Sequence, residues 1–330
     1  MIELCSPAGS LLSLKAAIDN GADAVYIGLN NNTNLRNFPG LNITGKELEE
    51  GITYTHDRDK KVYLTINSYP QYRQLEECYR AIDTANISGV DALIVSDIAV
   101  LEYAQNRYSS LPIHLSVQTG LTNNHAIKFF RKHFNIKRVI LPRVFNLEEI
   151  SQLRNETDIE LEIFAIGLLC INCEGKCFLS SFLTGESINT YGACSHPKFV
   201  NFISEEDGLR VTSNGITLNL YKEDERAAYP TPCKGRYFNQ YTKKYDYVFQ
   251  RPESLNIIDI LPQIISIGIN ALKIEGRQRS HSYVAKTTRL LRDAIEQAYS
   301  KKRLDIKNNN GLLQELFEGL NNTSGCYLEK

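Results

Sequence analysis

The sequence predicts an α/β protein: a TIM (β/α)8-type barrel with a long cysteine-rich insertion after its seventh strand. Three observations carry that prediction. Short apolar runs rich in β-branched residues alternate with helix-length segments through the first half of the chain, and such alternation builds βαβ units on a parallel sheet. A short motif recurs as Gly21-Ala-Asp-Ala-Val25, Gly89-Val-Asp-Ala-Leu93 and Gly268-Ile-Asn-Ala-Leu272. Its third copy lies far downstream and supplies an eighth strand, completing the count a closed barrel needs.

The strands expected in order are Ile2–Cys5, Ala24–Ile27, Val62–Asn67, Ala92–Ser96, Ile113–Gln118, Arg138–Leu141, Leu161–Ile166 and Ala271–Glu275. Helical patterns fill Leu11–Asn20, Lys46–His56, Gln74–Ser88, Asn123–His133 and Ser282–Tyr299. In each copy of the motif the glycine follows a helical pattern, where left-handed backbone ends the helix. A doubly wound open sheet is the alternative. No Gly-x-Gly-x-x-Gly follows an early strand, which disfavours its dinucleotide-binding version.

Residues 168–252 interrupt the alternation and hold Gly, Pro and many Tyr with little helical periodicity. An insertion after a barrel strand falls on the face that carries catalytic loops. Residues 1–330 are read as one barrel domain containing it, and the Asn- and Gly-rich stretch 306–330 as a peripheral tail.

Lys and Arg total 37 against 38 Asp and Glu, a formal net charge of −1, which gives no sign of a dedicated nucleic-acid or anionic-membrane binder. No apolar run approaches the roughly 20 residues of a membrane helix. The N-terminal MIELCSPAGS lacks the basic and apolar regions of a signal peptide, so a soluble cytoplasmic protein without a transmembrane segment is expected.

The cysteines stand apart from this ordinary composition. There are eight, and five of them (Cys170, Cys173, Cys177, Cys194 and Cys233) fall within the insertion. Without a secretory signal, such clustering points to metal ligation more than disulfides. Thiolates are soft ligands, and four complete a zinc or an iron–sulfur site. Compact C-x-x-C pairs would favour zinc, whereas long irregular spacings suit a cluster assembled from separate turns. Buried cysteines packing as small apolar residues are the bland alternative.

The segment Gly167-Leu-Leu-Cys170…Gly175-Lys-Cys177-Phe-Leu-Ser-Ser181…Leu183-Thr-Gly-Glu186…Gly192-Ala-Cys194 closely resembles the peptidase U32 family. Further matches are Ser6-Pro-Ala-Gly9, Asn20-Gly-Ala-Asp-Ala-Val-Tyr-Ile-Gly28, Leu141-Pro-Arg143, Cys233-Lys-Gly-Arg-Tyr237 and Lys273-Ile-Glu-Gly-Arg-Gln-Arg-Ser280. Within the family, Asn34–Gly45 and Tyr191–Cys194 resemble the UbiU branch of ubiquinone biosynthesis.

The resemblance implies a [4Fe–4S] cluster on cysteines spaced C-x6-C-x16-C-x38-C, which in this sequence are Cys170, Cys177, Cys194 and Cys233. Cys173 departs from the branch pattern and is either a spare thiol or a competing ligand. The resemblance further implies oxygen-independent hydroxylation of the ring of a prenylated quinone precursor, with prephenate as hydroxyl donor. It also implies a heterodimer with a UbiV-like subunit, a UbiT-like lipid carrier as a further partner, and no stable nucleic acid. The alternatives are a U32-type hydroxylase of tRNA or rRNA, whose known members tend to be longer, and a non-catalytic cluster-bearing subunit.

Barrel logic places polar residues at the strand ends around the mouth: Asn67, Ser96, Asp97, Ser116, Gln118, Arg143, Glu275 and Arg277. Prephenate carries two carboxylates, and guanidinium groups bind carboxylates bidentately, so Arg143 and Arg277 are the first anchors, with Glu275, Asn67 and Gln118 beside them. A structural ion pair with Glu275 is the competing role for each arginine. Arg36 is a third candidate, and Lys234 and Arg236 beside Cys233 are read as tuning the cluster, binding an anion or lying in a solvated loop. The tyrosines between 221 and 247 suggest a surface for a partner subunit, with a polyprenylated ring or the barrel rim as the other readings. No residue is singled out as catalytic. Proteolysis is disfavoured, because the sequence has neither a His-Glu-x-x-His zinc motif nor a Gly-x-Ser-x-Gly elbow.

Overall fold

The computed structural model describes residues 1–192, 194–300, 313, 316, 317 and 321–328. Strands β1 (Glu3–Pro7), β2 (Ala24–Ile27), β3 (Lys61–Ile66), β4 (Ala92–Val95), β5 (Ile113–Leu115), β6 (Ile136–Ile140) and β7 (Glu160–Leu168) pair in parallel in sequence order. Strand β14 (Ala271–Ile274) pairs in parallel with both β1 and β7 and closes the eight-stranded barrel. The predicted strands lie within a few residues of these.

Helices α1 (Leu11–Asp19), α2 (Gly45–His56), α3 (Leu75–Ser88), α4 (Ile98–Arg107), α5 (Asn124–His133) and α6 (Leu147–Glu156) connect successive strands. Their starts are written in the sequence. Ser10, Asp97, Asn123 and Asn146 accept backbone N–H bonds at the first turns of α1, α4, α5 and α6, and Thr44 with Glu47 forms a capping box on α2. The recurring glycine has the predicted role. Gly89 (φ 78°) and Gly268 (φ 85°) end α3 and α9 (Leu261–Ile267) in left-handed backbone, and Gly21 (φ 95°) follows α1 one residue later.

One boundary differs usefully. β5 stops at Leu115 rather than Gln118, because the Ser116 hydroxyl accepts the Gln118 N–H and opens a 3-10 turn over Val117–Thr119. That turn carries Gln118 onto the barrel mouth.

The barrel interior is not uniformly apolar. Arg138 of β6 reaches across to Glu3 of β1 and also bonds Glu160 and Glu162 of β7. Lys273 of β14 donates to the other Glu162 oxygen at 2.8 Å. Arg138, Glu162 and Lys273 are buried, so each charge is matched inside rather than by water.

Beyond β7 the chain makes α7 (Leu179–Thr184) and α8 (Ile188–Tyr191). An antiparallel sheet follows, of β8 (Val200–Glu205), β9 (Gly208–Ser213) and β10 (Ile216–Tyr221), and then the pair β11 (Arg236–Asn239) and β12 (Lys244–Tyr247). Strand β13 (Ser254–Asn256) returns antiparallel against the end of β7, and α9, β14 and α10 (His281–Tyr299) complete the barrel. The segment therefore occupies the C-terminal end of β7.

The described part of the C-terminal stretch corrects the expectation of a peripheral tail. Leu313, Phe317 and Tyr327 are buried, β15 (Asn322–Thr323) pairs in parallel with β13, and the Tyr327 hydroxyl donates to the Phe164 carbonyl at 2.9 Å. The Asn- and Gly-rich composition hides three apolar anchors spaced widely enough to dock it. The remainder of 306–330 lies outside the described residues.

Candidate functional site

A cavity of about 180 Å³ opens at the barrel mouth. Its walls are strand ends on one side and the post-β7 segment on the other. Near the end of β7, Gly167 (φ 147°) packs so closely on Glu275 that a Cβ would come within 2.5 Å of its side chain, and Gly175 (φ 81°) sits so tightly on the Gln118 carbonyl that a Cβ would come within 1.9 Å. These contacts lay the loop 170–177 over the β5 end.

Cys170, Cys177, Cys194 and Cys233 all line this cavity, although three separate stretches of chain supply them. Cys173 is not part of its wall; its sulfur faces Gly120 instead. Asn172 Nδ2 donates to Cys177 Sγ at 3.4 Å, and the Thr231 hydroxyl lies 3.7 Å from Cys233 Sγ. The thiols are close enough to influence one another's ionisation: Cys194 acts on Cys170, and Cys194 and Cys177 act on Cys233. Burial pushes the Cys170 thiol up to about 12, with Glu174 adding and Arg143 opposing. It also raises Cys233, against the pull of Thr231 and Lys234.

The donor set fits an iron–sulfur cluster. Four soft sulfurs converge, two with hydroxyl or amide groups beside them, and coordination is what deprotonates buried thiols of this kind. Among the described residues no three His, Cys, Asp or Glu side chains close on a single metal-ion position. A four-iron cube asks each thiolate to reach its own iron, so it spreads its ligands wider than one ion does.

Below the cysteines lies a charged floor. Arg143 is buried; its Nε donates to Glu174 at 2.7 Å, its NH1 to Glu275 and the Leu168 carbonyl, and its guanidinium lies 4.4 Å from the Phe164 ring centre. Glu275 also meets Arg36 at 3.5 Å and accepts the Leu168 N–H. Burial opposes its ionisation, but Arg143 and Arg36 outweigh that and hold the carboxyl below its ordinary range. Arg36 in turn donates to the carbonyl of Gly192, two residues before Cys194, which ties the loop after β2 to the cysteine segment.

The other nominated residues sort clearly. Asn67 accepts the Leu35 N–H and donates to Ser116, and both line the cavity with Gln118. Arg277 lines it too, bonded to Asn34 and Asn42. Lys234 is buried on the cavity wall rather than solvated. Ser96 is tied to the Asn67 carbonyl and Asp97 caps α4. Arg236 is held by Glu225 and Asn219. Sequence reasoning missed Glu174 and Thr65. A glutamate inside the cysteine block is the signal that could have exposed Glu174, and a hydroxyl in the apolar run of β3 the one for Thr65.

Comparison with known proteins gives the family. Residues 9–329 match the family described as Peptidase family U32. The chain is 37% identical over 304 residues to an "uncharacterized protease" of Methanocaldococcus jannaschii, covering 90% of this chain and 65% of that protein. It is 30% identical over 335 residues to "tRNA hydroxylation protein P" of Escherichia coli, covering 96% and 72%. With "tRNA hydroxylation protein P1" of Bacillus subtilis it shares 31% identity over 297 residues, covering 89% and 63%. The chain thus spans about two thirds of the length of these curated relatives. With a family match over almost its whole length and a barrel whose mouth gathers the cysteine block, the chain belongs to peptidase family U32.

Proposed function

We propose that this protein carries a [4Fe–4S] cluster on Cys170, Cys177, Cys194 and Cys233 and hydroxylates the ring of a ubiquinone precursor without dioxygen. The observation that carries the reading is the convergence of those four thiols on one cavity at the barrel mouth, the face where such barrels do chemistry. Relatives named as tRNA hydroxylation proteins support hydroxylation as the reaction type for a U32 chain. The quinone substrate rests on the resemblance of Asn34–Gly45 and Tyr191–Cys194 to the UbiU branch.

When bound, the cluster supplies redox chemistry. The chain's own residues do the rest. Leu35, Leu169, Ile171 and Leu179 give the cavity apolar wall beside its polar groups. Arg36, Arg143, Glu174 and Glu275 form a rigid charged floor that holds the loops over the mouth. Prephenate is the proposed hydroxyl donor, a UbiV-like subunit the partner in a heterodimer, and a UbiT-like protein the carrier of the prenylated substrate. Residues 1–330 act as a single barrel domain, with 168–252 as its cluster-binding insertion. No described helix is long and apolar enough to cross a membrane, and the proposed site of action is the cytoplasm.

Hydroxylation of an RNA base is the second reading, favoured by the names of the relatives. Deleting the gene and growing cells without oxygen separates the two. Loss of ubiquinone with intact RNA modification is the expected result; unchanged ubiquinone with a missing hydroxylated nucleoside would transfer the assignment to RNA.

A further inference from the structure

Among the described residues, seven buried side chains hold a polar atom with no hydrogen-bond partner, and Thr65 is the one of them that lines the cavity. Strand β3 would lose nothing with valine there, since both residues are β-branched and fit a strand equally well. The hydroxyl is therefore an added cost, because a buried polar group left unsatisfied is unfavourable. Such an atom is completed by something outside the chain, a ligand or an ordered water.

The surroundings decide between the two. Tyr26, Ile94, Ile140 and Lys273 line the cavity, one from each of the alternate strands β2, β4, β6 and β14, which is how a barrel interior builds a layer. Thr65, paired with Ile94 across β3 and β4, and Phe164 of β7 join them, so the cavity reaches into the barrel. The other polar groups of this floor are committed. Lys273 Nζ donates to Glu162 at 2.8 Å and lies 3.7 Å from the Tyr26 ring centre, and the Tyr26 hydroxyl donates to the Ile274 carbonyl at 2.9 Å. Hydroxyls elsewhere on the cavity wall are engaged too: Ser116 accepts from Asn67 and from the Gln118 N–H, and Ser180 donates to the Cys194 carbonyl. A lone water needs two to four polar partners, and Ile94, Ile140 and Phe164 offer it none. They suit the faces of a flat ring.

We propose that Thr65 is a specificity-determining residue of this cavity, its hydroxyl hydrogen-bonding a neutral ring oxygen, of the phenol type, on a flat ring seated against Ile94, Ile140 and Phe164. The oxygen is neutral because the Lys273 charge is matched by Glu162, which leaves the floor without a spare counter-ion. A site that hydrogen-bonds an oxygen rejects the analogue lacking it, because its own polar atom is then left unpaired. This deepens the functional reading above by naming a contact for the substrate ring. Its test reads ring binding alone, so it can fail while loss of ubiquinone still supports that reading, and the reverse.

The full chain, purified anaerobically, is titrated with phenol and with its near-isostere toluene by saturation-transfer NMR, as wild type, Thr65→Val and Thr65→Ser, and the Tm of each is measured. The wild type binds phenol about tenfold more tightly than toluene, although toluene is the more apolar. In Thr65→Val toluene binds at least as tightly as phenol, and Thr65→Ser keeps the preference for phenol. Because Thr65→Val removes an unpaired buried hydroxyl at nearly constant volume, its Tm equals or exceeds that of the wild type. Four results would each overturn the proposal: neither ring binding, toluene binding the wild type as tightly as phenol, the preference for phenol persisting in Thr65→Val, or a Thr65→Val Tm several degrees below the wild type, which marks a structural hydroxyl.

Discussion

Glu275 meets two guanidinium groups, Arg143 and Arg36, and through them couples β14 to the loops after β6, β7 and β2. Replacing it by glutamine leaves Arg143 buried with half its counter-charge, and breaking buried pairs of this kind costs about 3–5 kcal/mol. Urea unfolding of Glu275→Gln is therefore expected to show a loss toward the lower end of that range, since Glu174 remains. A second residue-scale prediction concerns pH. Burial opposes ionisation of Glu162, yet Lys273 and Arg138 pull its carboxyl down to about 2 from an ordinary 4.5. A carboxylate with a depressed folded-state pKa adds stability that is complete above its unfolded pKa and is lost as pH falls through the folded one. The wild type should thus lose stability between about pH 5 and pH 2, and Glu162→Gln, though less stable at pH 7, should show a shallower loss across the same window. At this scale six of the eight strand-end polar residues named from sequence line the cavity, whereas Ser96 and Asp97 make local contacts instead. The sequence could not show which arginine was already paired, because Glu174 and Arg143 are brought together only by the fold of the loop 170–177.

The recurring glycine motif shows what was legible at the scale of elements. A helix-ending glycine followed by an apolar strand is local chemistry, and Gly89 and Gly268 adopt left-handed backbone as that chemistry requires. The end of β5 was less legible, because Ser116 can extend a strand or cap a turn and its hydroxyl bond to the Gln118 N–H decides for the turn. The described part of the C-terminal stretch was misread. Its composition argued for a tail, but burial of Leu313, Phe317 and Tyr327 depends on partners far back in the chain. Tyr327→Phe removes the hydroxyl bond to the Phe164 carbonyl and should cost about 1 kcal/mol by urea unfolding, whereas Tyr327→Ala leaves a cavity and should cost about 3 kcal/mol or more. A peripheral tail would show neither effect.

In the whole molecule, the charged interior and the mouth meet at Lys273, which bonds Glu162 and also lines the cavity. The Arg138–Glu162–Lys273 network fills the interior, while the mouth gathers segments that are distant in sequence: Arg36 from the loop after β2, Gln118 from the turn after β5, and the cysteines from the post-β7 segment. The closed barrel was legible because strand and helix periodicity repeats along the chain. The charged interior was not, because Lys273 and Arg138 sit within apolar runs that read as ordinary strands. The resemblance singled out Cys170, Cys177, Cys194 and Cys233, and the geometry adds that Cys173 stands outside the cavity those four share. The most direct measurement of the central claim is the iron, acid-labile sulfide and zinc content of the anaerobically purified chain, compared with Cys194→Ala and Cys173→Ala. The account predicts about four irons and four sulfides per chain, lost in Cys194→Ala and retained in Cys173→Ala. Stoichiometric zinc without iron, or a cluster that survives Cys194→Ala and disappears in Cys173→Ala, would contradict it.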